Sequence, residues 1–232
     1  MNNKVKIVGG NIKLGNMGSF SKLAGDGIFR TKSGEFVSGS CGKHCEGCRG
    51  ACYVFKSYRY PSVIENHAKN TKAFRENQKQ AFADIKEQLS RKKKPFKVVR
   101  INQSGELESF IELVRWIELA RDFPETSFYL YTKNYEAVKT VAKNELVTVP
   151  KNFTLLVSIW HNYGICEYNQ LKKYPWVKAF VYMDGYNYEE QNINIETTCK
   201  AYDMGKINHN ITCDKCKKCF DSQFKVIGCK EH

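Results

Sequence analysis

The ten cysteines of this 232-residue chain fall into two nests. Cys41, Cys45, Cys48 and Cys52 lie together, as do Cys213, Cys216, Cys219 and Cys229, while Cys166 and Cys199 stand apart. A reducing compartment disfavours disulfides, so dense thiol nests point to metal or iron–sulfur sites. In the first nest the spacing is C-x3-C-x2-C over Cys41, Cys45 and Cys48. Three thiolates on one tight loop can hold three corners of a 4Fe–4S cube and leave the fourth iron open for chemistry. Cys41, Cys48 and Cys52 form an alternative triad; if all four bind, the cluster is closed or the metal is zinc. In the second nest Cys213-x2-Cys216-x2-Cys219 has ferredoxin-like spacing, with Cys199 or Cys229 as the fourth thiolate. A closed site there is a second 4Fe–4S cluster or structural Zn2+, and Lys215, Lys217 and Lys218 would offset its charge. His209 and His232 are substitute ligands.

Elements must carry these nests. The length suits one globular domain with a sizeable core, and 42% hydrophobic content argues against general disorder. Residues 1–34 read as an irregular lead-in with one short strand near Val5 to Val8. A strand from Glu35 delivers the chain to Cys41. Pro61-Ser-Val-Ile-Glu then looks like a helix start, with Ser62 as cap and Glu65 closing a capping box. Apolar residues at helical spacing from Ile64 to Leu89 predict one long or bent helix ending at Arg91-Lys-Lys-Lys and Pro95. Strands are predicted over Phe96–Asn102, Ser127–Thr132, Phe153–Trp160 and Val177–Met183. Helices fall around Leu107 to Ile117, Tyr135 to Ala142 and Cys166 to Lys172. This alternation implies parallel crossovers, hence an α/β fold with an open or closed β/α barrel over residues 35–191. From Asn192 the periodicity fades, so residues 192–232 read as a cysteine-rich tail organised by metal.

The net charge is +13. Between Tyr53 and Arg100 thirteen Lys or Arg residues face four Asp or Glu, with aromatics interleaved from Tyr53 to Tyr60. That combination suits nucleic acid, through phosphate neutralisation and base stacking, or an acidic reductant such as flavodoxin or ferredoxin. A solvated basic helix face is the plain alternative. The densest apolar stretch, Thr154 to Trp160, is too short to span a bilayer, and the Met1-Asn-Asn-Lys-Val-Lys start lacks the apolar core of a secretory signal. Both point to a cytoplasmic protein without a membrane partner.

The first nest, followed by Ser104-Gly105-Glu106 at the end of the next strand, resembles the radical S-adenosylmethionine (SAM) superfamily. The resemblance implies a partial β/α barrel. It implies an open iron that chelates SAM and an electron transfer giving a 5′-deoxyadenosyl radical. It also implies that Ser104, Gly105 and Glu106 receive the SAM amino group and that Ser158 contacts the ribose. Gly47 departs from the pattern, which usually has an aromatic residue before the third cysteine. A narrower resemblance rests on Cys48-x3-Cys52-Tyr53, Val99-Arg100-x-Asn102-x-Ser104-Gly105-Glu106, Tyr131-Thr132-Lys133 and Cys199 followed by Thr212-Cys213-x2-Cys216-x2-Cys219. These are similar to a phage-associated family called gene product eighty-eight, from about Asn11 to the C-terminus. In that family Asp is usual where Glu106 stands, Cys45 is not part of the pattern, and Cys199 is favoured as the fourth ligand of the second site. Thr132 and Lys133 close a strand, where active-site groups of β/α barrels gather, and Lys133 can pair with the SAM carboxylate or a substrate anion.

The expected function is therefore a radical SAM enzyme of unknown substrate in the cytoplasm, or in the host cytoplasm if the chain is phage-encoded. The alternative is a non-catalytic zinc- or iron–sulfur-stabilised nucleic-acid-binding protein of a phage or mobile element. Tyr163, Cys166 and Asp184 follow predicted strands and are candidate substrate contacts, with structural roles the plainer reading.

Overall fold

The computed structural model describes residues 4–11, 13–42, 45–91, 94–183, 185–200, 202–203, 206–207, 211–220 and 223–229. The chain begins with two short strands, β1 (Val8–Gly9) and β2 (Gly18–Ser19), and a hairpin of β3 (Ile28–Arg30) and β4 (Phe36–Ser38). Short helices α1 (Glu46–Gly50) and α2 (Val54–Ser57) carry the first cysteine nest. Next come α3 (Pro61–Glu76), α4 (Gln78–Ser90), β5 (Val98–Ile101), α5 (Phe110–Asp122), β6 (Ser127–Thr132), α6 (Tyr135–Lys143), β7 (Phe153–Trp160), α7 (Ile165–Leu171) and β8 (Val177–Tyr182). The remainder holds β9 (Thr197–Thr198), β10 (Tyr202–Asp203), β11 (Lys206–Ile207), α8 (Cys213–Cys216) and β12 (Val226–Cys229).

Where the predicted long helix runs, there are two. Asn77, at φ −152°, leaves the helical region and accepts the Gln80 N–H through its side chain, ending α3 and capping α4. Ser62 does not cap α3. Tyr60 holds that position without a side-chain bond, and Pro61 sits in the first turn, where its missing N–H costs nothing. Ser109 caps α5 by accepting the Glu112 N–H.

The main sheet is eight-stranded, in the order β1-β2-β5-β6-β7-β8-β12-β9. Only the β1–β2 pairing is antiparallel; the others are parallel. Strand period two sends Val99, Ile101, Phe128, Leu130, Leu155, Val157, Ala179 and Val181 to one face, where α3 to α7 cover them. Phe20, Phe74, Phe82 and Trp116 interlock there, with successive ring centroids 4.8–5.2 Å apart. The opposite face carries Val98, Tyr129, Leu156 and Phe180. It is covered by Leu14 and Met17 from the start of the chain and by Cys199, Cys213, Cys219, Phe220 and Phe224 from its end.

Two fold expectations are corrected here. The expected partial barrel is an open sheet whose outermost strands, β1 and β9, are each two residues long and do not pair with one another. The expected metal-organised tail is tied down by strand pairing and apolar burial. β12 inserts between β8 and β9, with Val226, Ile227 and Cys229 at most 5% exposed. Its apolar residues alternate between the two faces of the sheet, a burial that four residues suffice to make. Among the described residues, no helix is long and apolar enough to cross a membrane.

His67 of α3 faces the Tyr58 hydroxyl at 3.4 Å, and burial lowers its pKa to about 4. Neutral His67 is the folded form, so protons bind the unfolded chain first. Stability should fall as the pH drops from about 6.5, the unfolded value, towards 4. His67→Gln should flatten that limb of a urea-midpoint profile; an unchanged limb would assign the acid sensitivity elsewhere.

Candidate functional site

Parity also builds a cleft at the carboxyl ends of β5 to β8. Arg100, Tyr131, Ser158 and Phe180 project from the face away from the helices, and Trp160, Asn102 and Lys133 follow at the strand ends. The cysteine-bearing segment closes the other side with Cys41, Cys48, Cys52 and Tyr53. Ligands of parallel sheets sit at this end, where loops diverge. The open interior is about 120 Å3, near that of a benzene-sized cavity. A small ring or headgroup fits inside, and the rest of a ligand would reach the open side.

Ser104, Gly105 and Glu106 form the floor, and their polar groups are engaged with protein. The Ser104 hydroxyl donates to the Lys22 carbonyl at 2.9 Å, and the Lys22 N–H donates back to the Ser104 carbonyl at 2.9 Å. Gly105 sits at φ +80°, and an added Cβ would lie 2.6 Å from Ser40 Oγ and 2.8 Å from Lys22 Cβ. Glycine is thus required by the close packing of this turn on the Lys22 segment. Glu106 is 7% exposed. Its Oε1 accepts the Thr132 hydroxyl at 2.6 Å and the Leu107 N–H at 2.8 Å, and its Oε2 accepts the Lys133 N–H at 2.8 Å. Burial pushes this carboxyl above its ordinary range, while the three donors and Lys133 hold it down. Thr132 is buried, with its hydroxyl shared between Glu106 and the Asn134 N–H. Ser158 lines the cleft, and its carbonyl accepts the Tyr135 hydroxyl at 2.5 Å.

The unspent polarity belongs to Asn102 and Arg100, which stand in the Val99-Arg100-x-Asn102 segment but receive no role from the motif itself. Asn102 is 4% exposed at φ +49°, and neither atom of its side-chain amide has a hydrogen-bond partner among the described residues. Arg100 is 8% exposed, its Nε is likewise unpartnered, and its guanidinium lies 4.7 Å from the Tyr131 ring centroid. Burial works against the charge of Arg100, yet Tyr53, Tyr129, Tyr131 and Cys213 together raise its pKa. For Lys133 burial is likewise the largest influence and lowers the pKa. The charges of Cys48 and Glu106 and a hydrogen bond to Cys48 outweigh it and leave Lys133 above the ordinary lysine value. Besides its place in that segment, Arg100 is marked as a cation inside the apolar strand Val98-Val99-Arg100-Ile101.

The metal readings of both nests are corrected. Among the described residues, no group of three or more Cys, His, Asp or Glu side chains is placed to hold a metal ion. Cys41, Cys48 and Cys52 line the cleft, whereas Cys45 occupies the cap position of α1. Burial, then the charge of Glu106, pushes the Cys41 thiol up to about 12, and burial raises Cys52 as well. In the second nest burial raises Cys213 and pushes Cys219 up to about 12, and the Tyr131 hydroxyl donates to the Cys219 sulfur at 2.8 Å. Cys229 is buried in β12. The 4Fe–4S clusters, the Zn2+ alternative, the SAM cofactor that depended on an open iron, and the radical enzyme built on them lose their footing. So does the metal-stabilised nucleic-acid-binding alternative. His209, His232 and Asp184 lie outside the described residues.

Five of the thirteen cations of the basic segment are in ion pairs. Lys69, Lys72, Arg75, Lys86 and Arg91 pair with Glu65, Glu35, Glu108, Asp122 and Glu87 at 2.6–3.5 Å. Lys92 and Lys93 lie outside the described residues. Tyr163 packs against Tyr135, and Cys166 is exposed on α7, where its sulfur accepts from the Gln170 side chain at 3.5 Å.

A family model described as Gene product 88 matches residues 3–222. No curated protein and no solved structure matches the chain.

Proposed function

The chain belongs to the Gene product 88 family, and we propose that it is a small-molecule-binding protein whose ligand occupies the cleft at the carboxyl ends of β5 to β8. The observation that carries this reading is the Asn102 amide, buried in the cleft wall with both polar atoms unpartnered. An unsatisfied buried amide costs about 1–3 kcal/mol, and native proteins leave few such groups without a purpose. A donor beside an acceptor matches a ligand edge that presents the complementary pair, as a carboxamide or a nucleobase does. The same walls hold two cations, Arg100 and Lys133, against one carboxylate, Glu106, so the excess charge favours an acidic ligand. Tyr53, Tyr131, Trp160 and Phe180 supply apolar area for its ring or stem.

The test is a thermal-shift panel of nucleosides, nucleotides and carboxamide-bearing acids against the full chain. We expect at least one compound to raise Tm in a concentration-dependent way. Asn102→Asp keeps the left-handed backbone tolerable while removing the donor, and should weaken that compound by roughly tenfold or more. A panel without any response, or a response that survives Asn102→Asp, would sink the proposal.

A further inference from the structure

Helices α4 and α5 lie side by side on the helix-covered face of the sheet and leave between them an open groove of about 470 Å3, which shares no residue with the cleft. Leu113, Trp116, Ile117 and Ala120 of α5 face the core. Helical periodicity therefore brings Ile111, Val114, Arg115, Glu118 and Asp122 to its outer side, where they line the groove. Phe82, Val114 and Leu119 supply an apolar floor. Ile111 stands on the rim at 48% exposed, next to Phe110 at 44% exposed. Adjoining apolar side chains in water above an apolar floor mark a surface suited to contact.

The charges show what suits this surface. Lys79, Lys86 and Arg115 stand against Glu118 and Asp122, so the groove is near balance on a chain of net charge +13. Two copies of the chain repel one another as wholes, but this face adds little to that repulsion. Lys86 and Asp122 pair across the groove at 2.8 Å, whereas Arg115 and Glu118 are in no ion pair among the described residues. These two opposite charges lie three residues apart, about 4.5 Å along the helix axis. A second copy of α5, antiparallel and related by a two-fold axis midway between them, sets Arg115 of each chain against Glu118 of the other. The same axis lays Val114 of each chain over Leu119 of the other, as a self-complementary interface requires. We propose that the α4–α5 face is the surface through which two copies of this chain associate, with reciprocal Arg115–Glu118 pairs fixing the register. Two helices of 13 residues each are only about 20 Å long, so the interface is small and the dimer weak. The interface stands without the ligand proposed for the cleft.

Sedimentation velocity of the full chain, from micromolar to millimolar concentration, tests this. The weight-average mass should climb from the 26.8 kDa of one chain towards twice that value. Arg115→Glu makes each pair two carboxylates, and Glu118→Arg makes each pair two cations. Either variant alone should need at least about tenfold higher concentration to dimerise. An equimolar mixture of the two variants should dimerise well below the concentration that either needs alone, because the acidic chain then meets the basic one at both pairs. Both side chains reach the surface, so an unchanged Tm should accompany each loss. A chain that stays monomeric throughout would leave the groove to some other occupant and overturn the proposal. A dimer indifferent to both substitutions, or a mixture no tighter than its components, would overturn it as well.

Discussion

Glu112→Ala is expected to destabilise the protein by about 3–5 kcal/mol, the range for removing one partner of a buried ion pair. Lys22 is fully buried, and Glu112 is 1% exposed. The ammonium donates to both Glu112 oxygens, at 2.9 and 2.8 Å, and reaches Glu108 at 3.4 Å. Glu108 is in turn held by Arg75 at 2.6 Å, and its N–H donates to Glu112 at 3.1 Å. Truncating Glu112 leaves the ammonium in the core with only the more distant Glu108. Lys22→Met should cost a similar amount by stranding the carboxylate. The double variant Lys22→Met/Glu112→Leu should be more stable than either single one, because no buried charge then lacks a partner. Urea unfolding of the four proteins measures this, with m unchanged if the native state keeps its compactness. Additive single-variant losses would show that the pair does not act as a unit. The bridge joins the segment after β2 to the first turn of α5, so it also sets the height of the Ser104–Glu106 floor.

Glu106→Ala is the second large effect, again about 3–5 kcal/mol, because three buried donors lose one charged acceptor. Thr132, Leu107 and Lys133 would all be left unsatisfied where β5 and β6 diverge. Glu106→Gln separates charge from geometry. Its carbonyl can keep the two bonds at the Oε1 position, while its NH2 would face the Lys133 N–H, costing about 1–2 kcal/mol. Burial raises the Glu106 pKa, so the ionised form weighs against folding above the unfolded carboxyl pKa, and this penalty is relieved as pH falls through the folded value. Part of the Glu106→Gln loss at neutral pH should therefore be offset by removing the buried charge. Should the alanine variant unfold within about 1 kcal/mol of the parent, Glu106 would not be the brace that its three bonds imply.

Much of the scaffold is legible in the amino acids. Ser127–Thr132 and Phe153–Trp160 are strands at their predicted bounds, and the helix predicted over Tyr135 to Ala142 extends by one residue. Runs of β-branched and aromatic residues between helical periodicities are local signals, and local signals survive folding. The helix break at Asn77 is not visible in the periodicity because apolar spacing continues through it, while the asparagine acts as a cap. β12 is not legible in the sequence because four residues, Val226 to Cys229, are too few to show a period, and their burial comes from β8 and β9 on either side. Cysteine spacing predicts clusters, but spacing along a chain does not bring side chains round a common point, and among the described residues no group of three or more such ligands is placed to hold a metal ion.

The sequence by itself determined the α/β alternation, the membership of residues 3–222 in the Gene product 88 family and the presence of a cation in an apolar strand. These are properties of residue order, readable one window at a time. Tertiary structure alone decided which polar groups are already spent. Ser104 and Glu106, which looked ready for a ligand, bond to Lys22, Thr132 and Lys133, while Asn102 and Arg100 keep unpartnered atoms in the cleft walls. Hydrogen-bond satisfaction depends on partners brought from about 26 to 82 residues away, and no spacing rule within a motif encodes that.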